Sequence, residues 1–169
     1  MKKALGVVLV MALFWCCPTV VHANSLSYII PSEVDGIPTE IKEIAEVIGS
    51  ELNICPELLE AIAERESRFQ STATNGPCKG LMQINTSVHQ DRFEEMGWSA
   101  TDWQDSYKNM YVSASLLSDL FQEYEDVSTV LALYHGEKNA IEKSRAGKMS
   151  SYTKGILERS EELERVHGK

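Results

Sequence analysis

The chain has 169 residues and carries 16 Lys and Arg against 25 Asp and Glu, a formal net charge of −9. That length suits a single domain. The acidic balance, with no basic stripe to neutralise phosphates, excludes a nucleic-acid binder. It also argues against a cationic bactericidal protein drawn to anionic walls by its own field.

Met1-Lys2-Lys3, an apolar run from Ala4 to Trp15, and then Val21-His22-Ala23 follow the pattern of a secretory signal: charged start, apolar core, small residues near a cleavage point. The run is too short for a good membrane span, with retention as an uncleaved anchor as the alternative. Trp15 or Cys16 would stand where a lipoprotein signal needs a small residue, which disfavours lipidation of Cys16 or Cys17. Residues 1–23 are therefore expected to be a signal peptide, and the protein to be secreted or held in the cell envelope, periplasmic or wall-associated. The signal takes two cations and no acids with it, so the remainder stands at −11. Residues 24–39 are polar and contain Pro, the composition of a linker. The domain is expected over residues 40–169.

The first helix of that domain places Ile41, Ile44, Ala45, Ile48 and Leu52 on one face, with Asn53 as its stop. Pro56 suits the first turn of a second helix, where its missing N–H costs nothing; this helix is predicted to reach Gln70. A turn-rich stretch follows, with a small hairpin around residues 72–84. Residues 87–96 suit a short helix ended by Gly97. The longest periodic stretch runs from Ser106 to Tyr124, with Tyr107, Met110, Ala114, Leu117, Phe121 and Tyr124 as core. Asp126 can cap the next helix and Gly136 can end it. A short helix over residues 139–145 and a last one over 150–165, with Tyr152, Ile156 and Leu163 inward, complete a mainly α chain.

Four cysteines divide into Cys16 and Cys17, inside the signal, and Cys55 and Cys78. An even pair in an exported protein predicts a Cys55–Cys78 disulfide. The geometry is demanding: the intervening helix spans about 22 Å, so the return loop must run nearly extended along it. The histidines are isolated and without ligand spacing, so no metal and no cofactor are expected.

Glu66 stands out on the second helix. At about 100° per residue, Leu59, Ile62, Ala63 and Phe69 all fall within roughly 60° of it, whereas Glu64 points nearly opposite and Glu57 and Glu60 lie off the apolar centre. A carboxyl group facing an apolar interior keeps its proton to higher pH, which prepares a general acid. A Glu at the edge of the face, or one paired with an Arg, would give the same pattern.

Glu66-Ser67, followed seventeen residues after Glu66 by Gln83 at the end of Gly80-Leu81-Met82-Gln83, resembles the catalytic domain of soluble lytic transglycosylases, lysozyme-like enzymes distantly similar to goose-type lysozymes. The segment Asp105–Met110, Leu133-Tyr134-His135 and Tyr152 extend the resemblance over roughly residues 48–160. Pro77-Cys78 and His135 depart from the pattern, which has Gly-Ala and Asn there. The loop is about one residue short, so a family Ser corresponds to Thr74 or Asn75. The resemblance implies a single lysozyme-like domain that cuts the MurNAc–GlcNAc β-1,4 bond of peptidoglycan glycan strands. It implies Glu66 as catalytic acid and base, with Ser67, Met82, Gln83, Tyr134 and Tyr152 around the substrate. Ser67 would orient Glu66, Met82 would line a sugar subsite or fill core volume, and the Tyr134 hydroxyl would reach Glu66. Attack by the sugar's own C6 hydroxyl gives a 1,6-anhydro end with no second carboxylate. The alternatives are a hydrolytic muramidase and a non-catalytic glycan-binding or wall-assembly protein. A monomer is expected, with the glycan strand and a component of the envelope machinery as partners.

Overall fold

The computed structural model describes residues 35–169, so the expected signal and most of the expected linker lie outside the described residues. Among the described residues, seven α-helices and one small sheet follow in order: α1 (Thr39–Leu52), α2 (Pro56–Ser67), β1 (Thr74–Asn75), β2 (Cys78–Lys79), β3 (Ile84–Asn85), α3 (Gln90–Glu95), a 3₁₀ turn (Ala100–Gln104), α4 (Ser106–Glu123), α5 (Val127–Tyr134), α6 (Ala140–Arg145) and α7 (Ser151–Val166). The mainly helical class and the hairpin are as expected, with β1-β2-β3 antiparallel.

Local chemistry explains most of the boundaries. Asn53 closes α1 in the left-handed conformation, φ 54°. Asp105 caps α4 through the Lys108 N–H, and Asp126 caps α5 through the Ser128 and Thr129 N–H groups. The second helix stops at Ser67, short of Gln70, because Arg68 and Phe69 both take positive φ, 52° and 64°. Two left-handed residues in a row turn the chain off the helix axis and into the sheet.

One core holds Leu59, Ile62, Ala63, Met110, Leu117, Leu131, Ile156 and Leu163, all fully buried or nearly so, with α2 packed chiefly against α1 and α7. A smaller cluster of Ile84, Phe93 and Val112 supports the sheet from below. Two further features adjust the sequence picture. Asp35 and Ile37, inside the expected linker, are buried at 6% and 1% exposure, so the packed unit already includes them. Glu57 and Glu60, expected off the apolar centre, are each 1% exposed. α7 and the lead-in cover the flank of α2 that a single-face reading leaves to solvent.

The expected Cys55–Cys78 disulfide is not formed; both thiols are free. The return loop does not run back along α2. It folds into the sheet beside the C-terminal end of the helix, where Cys78 lines a cleft with Glu66. Cys55 stays at the N-terminal end, within hydrogen-bond reach of Glu57 and Glu164, and burial with the Glu57 contact pushes its thiol up to about 11. The eleven helical rises between residues 55 and 66 separate those ends by about 16 Å, far beyond disulfide reach.

Candidate active site

Glu66 lies in the last turn of α2, half-buried, where the helix end meets the sheet and the C-terminal end of α5. These elements enclose a cleft of about 560 Å³. Its walls include Arg65, Glu66 and Arg68 from the helix end, Asn75 and Gln83 from the loop and sheet, and Tyr134 and His135 from α5. Glu66 is the only carboxylate among the described residues that line it. A second concavity, of about 600 Å³, lies at the other end of α5, and its buried chemistry is already satisfied. There the Asp126 carboxylate accepts from the hydroxyls of Ser128, Thr129 and Ser144 and serves as a helix cap.

Burial raises the Glu66 pKa above the ordinary carboxylate range, and a hydrogen bond from Tyr152 together with the charges of His135 and Arg65 opposes that rise. Tyr152 Oη donates to Glu66 Oε1 at 2.5 Å. Burial and the neighbouring Glu66 push the phenol pKa upward, so the proton stays on the tyrosine. One carboxyl oxygen is thereby fixed and the group is oriented, which is what a proton donor needs. Tyr152 is itself held by α7 and by His135, whose ring stacks on it at 3.7 Å and 12°.

Tyr134 has a different part from the one expected. Its hydroxyl donates to the Met82 carbonyl at 2.8 Å, so Tyr152, not Tyr134, reaches Glu66. Met82 is fully buried in the core and does not line the cleft; the subsite reading of its side chain is therefore corrected in favour of core filling. Its backbone ties the loop on both sides, because its N–H donates to Asn109 Oδ1 at 2.8 Å. The Asn109 amide also donates to the Lys79 and Trp103 carbonyls. Gly80 is required at this crossing: a Cβ there would stand 2.1 Å from Asn109 Nδ2, and its φ is +83°.

Gln83 lines the cleft at φ 51°, with Nε2 donating to the Ala73 and Gly80 carbonyls. Both amide hydrogens thus hold the loop, and Oε1 remains as an acceptor for a ligand N–H or hydroxyl. Ser67 borders the cleft but donates to the Ala63 carbonyl within its own helix, so it does not contact Glu66 directly. Thr74 and Asn75, the two alternatives for the family Ser, both face the cleft. Arg65, Arg68, Asn85, His89 and His135 were not among the predicted site residues. Arg65 and Arg68 had a local signal, flanking Glu66 in the sequence, and His135 had one in the Leu133-Tyr134-His135 segment of the resemblance.

Residues 43–156 match the model of the transglycosylase SLT domain. The chain is also 32% identical over 98 residues to a protein named transglycosylase from Enterobacteria phage PRD1, covering 56% of this chain and 35% of that protein, so it spans about a third of that relative's length. The matched region contains Glu66, Gln83, Tyr134 and Tyr152, and the helical fold with its small sheet is lysozyme-like. The chain belongs to the transglycosylase SLT domain family.

Proposed function

We propose that this protein is a lytic transglycosylase of the cell envelope that cuts the MurNAc–GlcNAc bond of peptidoglycan and leaves a 1,6-anhydro-MurNAc end. The observation that carries the reading is a cleft with one carboxylate, half-buried and fixed by a tyrosine. Glycosidases that activate water or form a glycosyl-enzyme use two carboxylates flanking the bond. A single one suffices when the nucleophile is the sugar's own C6 hydroxyl, already attached and therefore at high effective concentration.

In this mechanism Glu66 donates its proton to the glycosidic oxygen as positive charge develops at the anomeric carbon. The resulting carboxylate then accepts the C6 hydroxyl proton as that oxygen closes on the same carbon, and Glu66 returns to its starting state. Tyr152 steadies the carboxylate through both transfers, and burial favours the protonated starting form. Gln83 Oε1 and the Asn75 amide are the groups we assign to hydrogen bonds with the N-acetyl and hydroxyl substituents. An exported enzyme delivered to the wall locally needs no attractive net charge.

Mass analysis of products from purified sacculi tests this directly. Anhydro ends are expected in the released muropeptides. Reducing ends throughout would establish a hydrolase, and absence of products would leave a glycan-binding protein.

A further inference from the structure

The charge of the cleft is opposite to that of the chain. In a protein of net charge −9, Arg65 and Arg68 stand on either side of the single cleft carboxylate. Neither has a carboxylate partner among the described residues, whereas Arg92 and Arg159 do. The Arg65 guanidinium lies 5.8 Å from the centre of the Tyr152 ring, so its charge is held over the aromatic that positions Glu66.

Placement at a helix C-terminus accounts for part of this, since cations there complement the helix dipole. It does not account for Arg68. That residue occupies the left-handed closing position of α2, φ 52° and ψ 43°, where Gly or Asn sits with less strain. An arginine is kept there at a conformational cost, and its side chain borders the cleft. Local strain beside a site is a pointer to function when the strained side chain faces the ligand space.

We propose that Arg68, assisted by Arg65, binds a carboxylate carried on the 3-O-substituent of the muramyl residue, making the cleft selective for anionic over neutral glycan. This rests on peptidoglycan as the substrate. The carboxylate has two sources: the stem peptide, or the lactyl group once the peptide has been removed. A guanidinium meets either with paired N–H donors. Arg65 also acts on the Glu66 charge, so Arg68 is the cleaner probe.

The test compares wild type, Arg68→Gln and a charge-matched control, Arg165→Gln at an exposed position of α7, using native sacculi and sacculi whose carboxylates have been converted to methylamides. Arg68→Gln is expected to raise the apparent KM on native sacculi by about 5–10-fold, the scale of one contact weakened by the solvent exposure of Arg68, with kcat within about twofold. On amidated sacculi the wild type shows that raised KM already and the substitution adds nothing. Sacculi stripped of peptide by an amidase, which frees the lactyl carboxylate, separate the sources: an Arg68 effect seen on native material that vanishes there assigns the peptide carboxylate alone, one that persists shows that the freed lactyl carboxylate is bound as well, and either result supports the assignment. An equal effect on native and amidated material, or an Arg165→Gln effect as large, overturns it.

Arg68→Gly separates binding from folding. Glycine relieves the backbone, so melting temperature is expected at or above wild type while KM rises as for Gln; a KM on native sacculi that stays at the wild-type value overturns the assignment. Should the wild type cleave nothing, the enzymatic reading falls, but the Arg68 proposal is still read by co-sedimentation of Glu66→Gln protein with native and amidated sacculi. Adding Arg68→Gln must then weaken binding to native sacculi alone; unchanged binding overturns the proposal.

Discussion

The two ends of α2 both hold carboxylates in low-dielectric surroundings, and only Glu66, at the C-terminal end, opens onto a cleft. At the N-terminal end Glu57 accepts from His167 at 2.9 Å and pairs with Lys169, and His167 bridges onward to Asp35, which also pairs with Lys42. Glu60 lies among these groups with Oε2 unpartnered, and burial pushes its pKa up to about 7, with His167 opposing. At the C-terminal end Glu66 is less buried, its pKa also rises, and it opens onto a cleft. A raised pKa alone therefore does not mark a catalytic carboxyl. What separates the two is room for a ligand beside the group and a donor that orients it from behind.

The largest expected effect breaks the comparison at its functional end. Glu66→Gln keeps size and hydrogen bonding but can neither give nor take the required proton, so muropeptide release should fall by about 10²–10⁴-fold or more. Glu60→Gln and Glu64→Gln should stay within about threefold; Glu64 is tied to Arg159 on the far side of the helix. If Glu60→Gln is the dead variant, the contrast between the two ends is wrong.

Tyr152→Phe removes the donor that orients Glu66. A hydrogen bond to a charged group of this kind is worth about 1.5–3 kcal/mol, which corresponds to a rate loss of about 10–100-fold. The sign of the pH effect is also set. The Tyr152 bond lowers the Glu66 pKa, so the alkaline limb of the rate profile should move to higher pH in Tyr152→Phe. A limb that stays put or moves down would contradict the assigned bond.

Glu60→Gln sharpens the other end. Because the folded pKa of about 7 lies above the ordinary 4.5, the stability due to the protonated carboxyl is full below pH 4.5 and lost as pH rises through 7. The substitution should therefore be close to neutral at pH 5 and stabilise by about 1–3 kcal/mol at pH 8, measured by urea unfolding. The smallest effect concerns the thiols. With Cys55 and Cys78 at opposite ends of α2 and free, a reductant should leave melting temperature and activity unchanged; a clear fall would restore the disulfide.

Much of this was legible in the sequence, and the exceptions have physical causes. Periodicity found α1, α4, α5 and α7, because those helices each bury one main stripe, and the stop at Asn53 and the cap at Asp126 were legible; the N-caps Asp105 of α4 and Ser150 of α7 were not read. Glu66 was legible because its apolar neighbours are local. The burial of Glu57 and Glu60 was not, since their cover comes from Asp35 and from His167, 110 residues after Glu57. The exchange of parts between Tyr134 and Tyr152 was equally hidden: both are inward aromatics by spacing, and only the crossing of α5, α7 and the Met82 loop decides which hydroxyl meets the carboxylate. Cysteine count predicted a bond that the path of the loop does not allow.

The central claim is that access, not burial, distinguishes Glu66 from Glu60. Titration of the glutamate side-chain carboxyl carbons by NMR, with and without a soluble N-acetylglucosamine trimer, tests it most directly. Both groups should titrate above the ordinary range, and only the Glu66 midpoint should move when the trimer is added. A Glu66 that titrates as an exposed carboxylate and ignores the sugar, or a Glu60 whose midpoint moves instead, would contradict the account.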